Sequence, residues 1–418
     1  MKDSKSKTIS RRSFIKIGGF SVALVVASNP LTKAFARPDP SGPRRLLILE
    51  QNGGNDGINT VIPYSSEGYR IYEEIRRQMA LPYDEVLSLE NGWAFHPSLQ
   101  RLATRFKSEE VAVIRNIGLK DPHRSNLSHF DMMEKWRAGN PQGFSQTSGK
   151  GWAGRIVDRL ATDSPIAALS LSTGVGPMLL DTERAASATS SATGMLDIPE
   201  EIHDAFRDAM RRMAEDESGL PAALAAARRG LRGANNLSDF LLNVPDGTSE
   251  ESETARLTQY AANIFNFNDW VRVIHIPLPL EHDTHIRHLP TQEYNLAELD
   301  KGIATFFDTL NPEAARDTLV VTMSEFGRRA EPNGESTEDP NQMGTDHGTA
   351  NTLFFVGNRV KGGLYGEDPD LKNLDPDGNL RATDNFMRVE ASIAAFMGID
   401  PEEIGLGSET FDAFRPST

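Results

Sequence analysis

Short continuous apolar runs alternate with amphipathic segments along most of this chain. Such runs are typical of strands buried on both faces of a parallel sheet, and helical periodicity between them is typical of crossover helices. The pattern therefore predicts an α/β fold with a doubly wound, mostly parallel sheet flanked by helices. The predicted strands are residues 46–49, 111–114, 166–171, 271–276, 318–323 and 352–356, and the main predicted helices are residues 64–81, 248–267, 294–310 and 385–397.

One stretch does not follow this alternation. Residues 187–243 are rich in alanine, arginine and glutamate, and serine and threonine lie at their start. Their charge runs are typical of a solvated helical face. Together with the amphipathic segment that follows, they predict a helical insertion covering about residues 187–267.

Polar residues with reactive or metal-binding atoms follow most of the predicted strands or precede the next one. In a parallel sheet the carboxyl ends of the strands lie at one edge, where open α/β sheets build their sites. Carboxylates brought that close together would repel each other unless a cation neutralised them. The residues concerned are Asp56, Ser128, Asp283, His285, Glu325 and His347.

The stretch at residues 281–288 holds three of the nine histidines of the chain. Imidazole nitrogen and carboxylate oxygen are the ligand atoms that zinc, manganese and similar ions accept. Asp283 and His285 are two positions apart, which places them on the same side of an extended segment. The cluster is equally compatible with a polar surface, and His288 is an alternative ligand to His285.

Two of these residues also have a purely structural interpretation. Asp56 lies in an Asn-Asp-Gly sequence that favours a plain turn as much as a ligand position. Ser128 lies at the turn between a strand and a helix, near backbone N–H groups that attract anions. That position suits a nucleophile or a phosphate contact, but a serine there also commonly caps the helix.

Composition narrows the classes of function. The formal net charge is -15, and no basic surface is predicted, which argues against nucleic acid as a partner. The chain has no cysteine, which excludes disulfides, a thiolate nucleophile and Cys-bound metal.

The N-terminus has the order of a twin-arginine export signal. Arg11 and Arg12 lie in a basic segment, a modest apolar region follows, and Ala34-Phe35-Ala36 offers a cleavage site. The apolar region is too short for a stable membrane span. We therefore expect a signal peptide at residues 1–36, a single domain at 37–418, the twin-arginine translocase as a partner during export, and a periplasmic or extracellular location.

Six motifs occur in order along the chain: NGGNDGINT at residues 52–60, SHF at 128–130, GW at 151–152, DTH at 283–285, SEFGR at 324–328 and GTDHG at 344–348. Together they resemble the exported domain-of-unknown-function family 1501, over roughly residues 45–400. The resemblance implies a branch of the alkaline phosphatase and sulfatase superfamily, and therefore an alkaline-phosphatase-like fold with a metal-assisted site.

The resemblance implies roles for individual residues. Ser128 matches the nucleophile position, and the metal ligands correspond to Asp56, Asp283, His285, Glu325 and His347. Phe326 follows Glu325 where the superfamily more often has histidine, which puts a second ion in doubt.

We therefore expect one or two divalent ions (zinc, manganese or calcium) and hydrolysis of phosphate, phosphonate or sulfate esters, either small or within a polymer. Arg124 or Arg328 is expected to hold the anionic oxygens. The alternative is a binding or assembly protein on a degenerate hydrolase scaffold.

Overall fold

Strand β1 (Arg45–Glu50) lies at the centre of the sheet, and all six of its residues are buried. The computed structural model describes residues 43–120, 127–160, 166–180, 185–188, 241, 243–333 and 339–416. The expected signal peptide, Arg124 and most of the expected helical insertion lie outside the described residues.

The described residues form fourteen strands and nine α-helices. The other strands are β2 (Val61–Pro63), β3 (Leu87–Ser88), β4 (Trp93–Phe95), β5 (Val111–Gly118), β6 (Ile166–Ser170), β7 (Ala185–Ala188), β8 (Val273–Pro277), β9 (Thr318–Met323), β10 (Gly327–Arg328), β11 (His347–Gly348), β12 (Ala350–Val356), β13 (Gly363–Tyr365) and β14 (Asp384–Asn385). The helices are α1 (Gly57–Thr60), α2 (Ser66–Arg76), α3 (Gln100–Lys107), α4 (His129–Ala138), α5 (Trp152–Arg159), α6 (Glu253–Phe267), α7 (His288–Thr309), α8 (Pro312–Arg316) and α9 (Phe386–Phe396).

The central sheet has the strand order β13-β5-β12-β9-β1-β8-β6-β7, with β14 beside β5. Strands β9, β1, β8, β6 and β7 pair in parallel. Strand β12 pairs antiparallel with both β5 and β9. Because β12 runs opposite to its neighbours β5 and β9, it begins at the edge of the sheet where those two strands end. The segment before β12 therefore lies at the carboxyl edge of the parallel strands.

Alternation along β1 divides the core into two layers, because successive side chains of a strand point to opposite faces. Leu47 and Leu49 pack with residues of α3, α6 and α7. Leu46 and Ile48 pack with residues of α4, α5 and α9. Helices thus cover both faces, which confirms the predicted α/β class. No helix among the described residues is long and apolar enough to cross a bilayer.

Short strands β2, β3, β4, β10, β11, β13 and β14 are absent from the pattern-based prediction, and two further differences concern the expected helical insertion and α7. Residues 187 and 188, at the start of the expected insertion, belong to β7, in a run of small residues that carries no clear periodicity. Helix α7 begins at His288 rather than near residue 294. Pro290 lies in its first turn, where a missing N–H removes no helical hydrogen bond, so the proline is compatible with this earlier start.

Three neighbouring strands end in a buried polar network. Ser170 of β6 donates to His275 Nδ1 of β8 at 2.9 Å, and His275 Nε2 donates to Glu50 of β1 at 3.0 Å. Arg137 of α4 completes the network with a 2.8 Å hydrogen bond to Glu50. Burial raises the pKa of Glu50, but the hydrogen bonds and charges of His275 and Arg137 outweigh burial and lower the pKa to about 2.

We expect Glu50→Gln to lower the free energy of unfolding by about 3 kcal/mol at pH 7, because it removes the charge that His275 and Arg137 stabilise. The folded pKa lies below the ordinary value of 4.5, so this stabilisation is present above pH 4.5 and is lost as the pH falls through about 2. Urea unfolding should show a smaller difference in the free energy of unfolding between wild type and variant at pH 3 than at pH 7.

The control is Glu253→Gln, which removes an ion pair in which Glu253 is exposed, so it should change the free energy of unfolding by less than about 1 kcal/mol. If Glu50→Gln lowered the free energy of unfolding equally at pH 7 and at pH 3, this expectation would be wrong.

Candidate metal centre

The loop after β8 brings Asp283 to the carboxyl edge of the sheet, where three imidazoles surround its carboxylate. Asp283 Oδ1 lies 3.1 Å from Nε2 of both His285 and His347. Asp283 Oδ2 lies 3.3 Å from Nε2 of His129. We call His129, Asp283, His285 and His347 the Asp283 centre. Within it, the ligand atoms of His129, Asp283 and His347 all lie within 4.8 Å of one another.

The topology explains why these distant residues meet. His129 is the first residue of α4, which follows the carboxyl end of β5 and the loop after it. His347 lies in β11, just before antiparallel β12 begins, so it reaches the same edge from the opposite direction. Asp283, His285 and His347, three of the six residues expected at this edge, thus lie together in the structure.

A hydrogen bond at Nδ1 orients each imidazole of the centre. His129 Nδ1 donates to Glu325 at 2.7 Å, His347 Nδ1 donates to the Leu127 carbonyl at 2.7 Å, and His285 Nδ1 donates to Asp346 at 3.0 Å. These acceptors require the proton on Nδ1, so the neutral rings carry a lone pair on Nε2. All three Nε2 atoms therefore face Asp283 in the form that binds metals.

The spacing of these atoms fits a divalent ion. In a tetrahedral zinc site with bonds of about 2.0–2.1 Å, neighbouring ligand atoms lie about 3.3 Å apart. The Nε2 atoms of His285 and His347 are 3.1 Å apart, comparable with their distances to Asp283. His129 Nε2 is buried without a hydrogen-bond partner, which is costly for a polar atom unless something occupies the space it faces.

Electrostatics keep the centre ready to bind a cation. Burial raises the pKa of Asp283, but the hydrogen bond and the charge of Arg328 outweigh burial and lower the pKa to about 2. The hydrogen bond to Glu325 raises the pKa of His129, which favours the protonated ring, so a metal ion would have to displace the proton on Nε2 of His129. Burial lowers the pKa of His347, whose ring stacks on buried Phe326 at a centroid distance of 4.7 Å. Near neutral pH, Asp283 is therefore an anion and His347 is neutral.

Arg328 occupies a different position from the one expected for a substrate contact. Its side chain is fully buried and donates to Asp283 at 2.6 Å. It also donates to four backbone carbonyls of the surrounding loops. Burial prevents contact with a substrate, so Arg328 orients Asp283 instead. The carbonyls are those of Gly53, Gly54, His282 and Thr345.

Asp56 and His288 form a separate buried cluster. Neither belongs to the group of His129, Asp283 and His347, whose ligand atoms lie within 4.8 Å of one another. Asp56 pairs with Arg76 at 2.6 Å and with His288 Nε2 at 2.8 Å, and it caps α1 through Asn59. His288 Nδ1 lies 2.6 Å from the Thr284 hydroxyl. The structure thus commits Asp56 to an ion pair and a helix cap, and in the described residues His285 rather than His288 reaches Asp283.

Ser128 and Glu325 lie beside the centre. Ser128 is the N-cap residue of α4, yet its side chain makes no capping hydrogen bond. Glu325 is buried, and its carboxylate accepts from His129, from the Gly53 N–H at 2.8 Å and from Ser324 at 3.2 Å. It therefore holds a ligand histidine through a hydrogen bond.

His129 is the residue of the centre that sequence reasoning did not select. It lies in the SHF motif, where attention went to the adjacent serine as a candidate nucleophile. The available signal was a histidine in the first turn of a helix at the same sheet edge as Asp283.

Comparison with family models places most of the chain in one family. A family model described as "Protein of unknown function (DUF1501)" matches residues 43–408. Among curated proteins, none matches the sequence significantly.

Similar solved structures include the soluble domain of lipooligosaccharide phosphoethanolamine transferase A from Neisseria meningitidis (12% identity, 95% of this chain and 98% of that chain covered, TM-score 0.39). The lipoteichoic acid synthase from Listeria monocytogenes is 10% identical, with 96% and 80% covered and a TM-score of 0.36. The TAB5 alkaline phosphatase is 9% identical, with 76% and 91% covered and a TM-score of 0.33. At these values the likeness is limited to the arrangement of sheet and helices.

The loop after β1 packs directly on the backbone of the centre. Gly53 has a φ of +108°, and a Cβ added there would lie 2.3 Å from the Asp283 nitrogen. A side chain at residue 53 would therefore push Asp283 out of position.

We expect Gly53→Ala to lower the free energy of unfolding by at least about 2 kcal/mol more than Gly378→Ala. Gly378 also has a positive φ, +81°, but a Cβ there meets nothing within 4 Å. Comparing the two variants separates the cost of a positive φ in alanine, which both share, from the steric contact with Asp283, which only Gly53→Ala has. Urea unfolding measures both variants, and equal decreases in the free energy of unfolding would show that the contact contributes nothing.

Proposed function

The chain belongs to the DUF1501 family, whose description names no activity, and from the geometry of the Asp283 centre we propose that it is a metal-dependent hydrolase of phosphate, phosphonate or sulfate esters. The convergence of three Nε2 atoms on one carboxylate carries this proposal. The hydrolase-like arrangement of sheet and helices is consistent with it.

His129, Asp283 and His347 would hold the ion, with His285 adjacent. Two or three imidazoles and a carboxylate suit zinc better than calcium, which prefers oxygen ligands. A bound zinc ion would polarise an ester oxygen and stabilise the charge that develops on it. The geometry supports one such ion, since Asp56 is committed to Arg76 and His288.

Ser128 is the proposed nucleophile because residues of the centre contact the chain on both sides of it. The Leu127 carbonyl accepts from His347, and His129 reaches Asp283. Backbone N–H groups in the first turn of α4 favour an anionic ester beside Ser128. Arg124 remains a proposed anion contact and lies outside the described residues.

The proposed reaction has two steps. In the first, the Ser128 oxygen bonds to the phosphorus or sulfur atom while the bond to the leaving alcohol breaks, and the serine proton passes to that alcohol. In the second, a water oxygen bonds to the same atom while the bond from that atom to the Ser128 oxygen breaks, a proton from the water passes to the Ser128 oxygen, and the inorganic anion or phosphonate leaves.

We also propose export to the periplasm or beyond through the twin-arginine translocase. This rests on the order of the paired arginines, the apolar region and the small-residue cleavage site. Elemental analysis of protein exported from cells would then report the ion that is loaded in the natural compartment.

The first test combines metal analysis with a panel of phosphate, phosphonate and sulfate esters. Wild type should contain about one divalent ion per chain and hydrolyse one ester class. His129→Ala should lose both metal and activity, because it removes one of three ligand groups. Ser128→Ala should keep the metal and lose turnover by about a thousandfold.

The matched control for Ser128 is Ser65, the N-cap of α2, whose side chain accepts from Gly68 N–H at 3.1 Å. Ser65→Ala should reduce stability by about 1 kcal/mol and leave turnover unchanged. Full turnover in Ser128→Ala would eliminate the nucleophile role. Folded wild type without stoichiometric metal would instead favour a binding protein on a degenerate hydrolase scaffold.

Glu325→Gln should weaken zinc affinity by about 10- to 100-fold, because an amide no longer provides the carboxylate that orients the His129 ring. Competition with a chromophoric chelator measures this affinity. Asp300→Asn is the control, since Asp300 is equally buried but accepts from backbone N–H groups of α3. Unchanged affinity in folded Glu325→Gln would show that the contact does not support the centre.

A further inference from the structure

Arg329 is a partly exposed arginine that two measured contacts connect to the Asp283 centre. Its Nη1 lies 3.7 Å from Asp346 Oδ2, and Asp346 Oδ1 accepts the 3.0 Å hydrogen bond from His285 Nδ1. One carboxylate thus separates the guanidinium from an imidazole whose Nε2 faces Asp283. Arg329 therefore lies just outside the centre and is not one of its candidate ligands.

The guanidinium of Arg329 is held in place, but its donors are unused. The backbone N–H of Arg329 donates to the Asp346 carbonyl at 3.0 Å, next to the β10–β11 pair. The 3.7 Å contact between the two side chains is an ion pair that is too long for a hydrogen bond. Among the described residues the Arg329 side chain has no hydrogen-bond partner, and its Nε is buried. Such a side chain gains by binding an anion, because a guanidinium forms paired, charge-assisted hydrogen bonds with phosphate, sulfate and carboxylate groups.

The exposed side of the centre is the side on which Arg329 lies. The side chains of His285 and Asp346 are 45% and 42% exposed, and that of Arg329 is 37% exposed. The side chains of His129 and His347 are less exposed, at 26% and 21%. A ligand that reaches the centre from solvent therefore approaches over His285 and Asp346, beside the guanidinium.

The charge of the chain makes a local cation important for an anionic ligand. The formal net charge is -15, so the molecule as a whole repels anions. An ion at the Asp283 centre would hold the ester that reacts, and the side chains of His285 and Asp346 lie between that ion and the Arg329 guanidinium. The guanidinium is thus placed for a second anionic group of the same molecule.

We propose that Arg329 forms a subsite for a second anionic group, so that the preferred substrates carry a phosphate, sulfate or carboxylate close to the ester that reacts. This inference rests on the proposed function and narrows its substrate class to polyanionic esters. Arg329 contacts the substrate through this second group and takes no part in bond breaking or metal binding.

The test uses metal-loaded protein and phosphonates that release no alcohol. Phosphonopropionate and propylphosphonate share one anionic head, and their chains end in a carboxylate and a methyl group, respectively. Phosphonohexanoate and hexylphosphonate repeat the comparison with a longer spacing. In calorimetric titrations, wild type should bind at least one carboxylate compound about tenfold more tightly than its alkyl counterpart, because the guanidinium adds a charge-assisted contact. Added salt should reduce this preference.

Arg329→Gln should abolish the preference and retain both metal content and affinity for propylphosphonate. Arg329→Lys keeps the charge without the paired donors, so it should retain part of the preference. For esters with a second anionic group, kcat/KM should fall about tenfold in Arg329→Gln, mainly through KM. The control is Arg159→Gln, since the Arg159 side chain is 46% exposed and pairs with Glu403. This control should bind all four phosphonates as wild type does.

Three results would overturn the subsite: no preference for either carboxylate compound in wild type, a preference that persists in Arg329→Gln, or an equal loss of affinity for carboxylate and alkyl compounds in that variant. Each can occur while metal is bound and simple esters are hydrolysed, in which case the proposed function stands. A folded wild type without metal and without turnover is the separate failure of the proposed function, and it removes the subsite as well.

Discussion

The arrangement of the site depends on one buried guanidinium, that of Arg328. A cation without solvent contact is stable only when its donors are paired, and Arg328 pairs them with four backbone carbonyls and the Asp283 carboxylate. These acceptors belong to three segments: the loop after β1, the loop after β8 and the segment before β12. One side chain therefore holds together the three loops at this edge and sets the position of the carboxylate that the imidazoles approach.

The apolar pattern predicted part of what lies at this edge, because the end of each buried run marks the end of a strand. Six residues were expected there; Asp283, His285 and His347 do lie together, whereas Asp56 is held in a separate ion pair and His129 was not among the six. The pattern does not contain strand direction. Only the pairing of β12 shows that it runs antiparallel, and this reversal is the reason that His347 reaches the edge from before its strand rather than after it.

The partners of buried charges could not be predicted from the sequence. Asp56 follows β1 as a metal ligand would, but Arg76, twenty residues later on α2, takes up its carboxylate. Arg76 and Arg328 both look like surface cations locally, since arginine is common on helix faces and in loops. Only the packing of α2 and of the β10–β11 pair shows that both guanidiniums are buried. The role of His129 could not be predicted either, because its partners Glu325 and Asp283 are far from it in the sequence.

The hydrogen bond from His347 Nδ1 to the Leu127 carbonyl links the centre to the start of α4. Leu127 has a φ of +51°, a left-handed conformation that a leucine adopts at some energetic cost. A rotation of the His347 ring would therefore pull on a turn with little freedom to relax. The position of the His347 imidazole is therefore tied to the backbone that leads into Ser128 and α4.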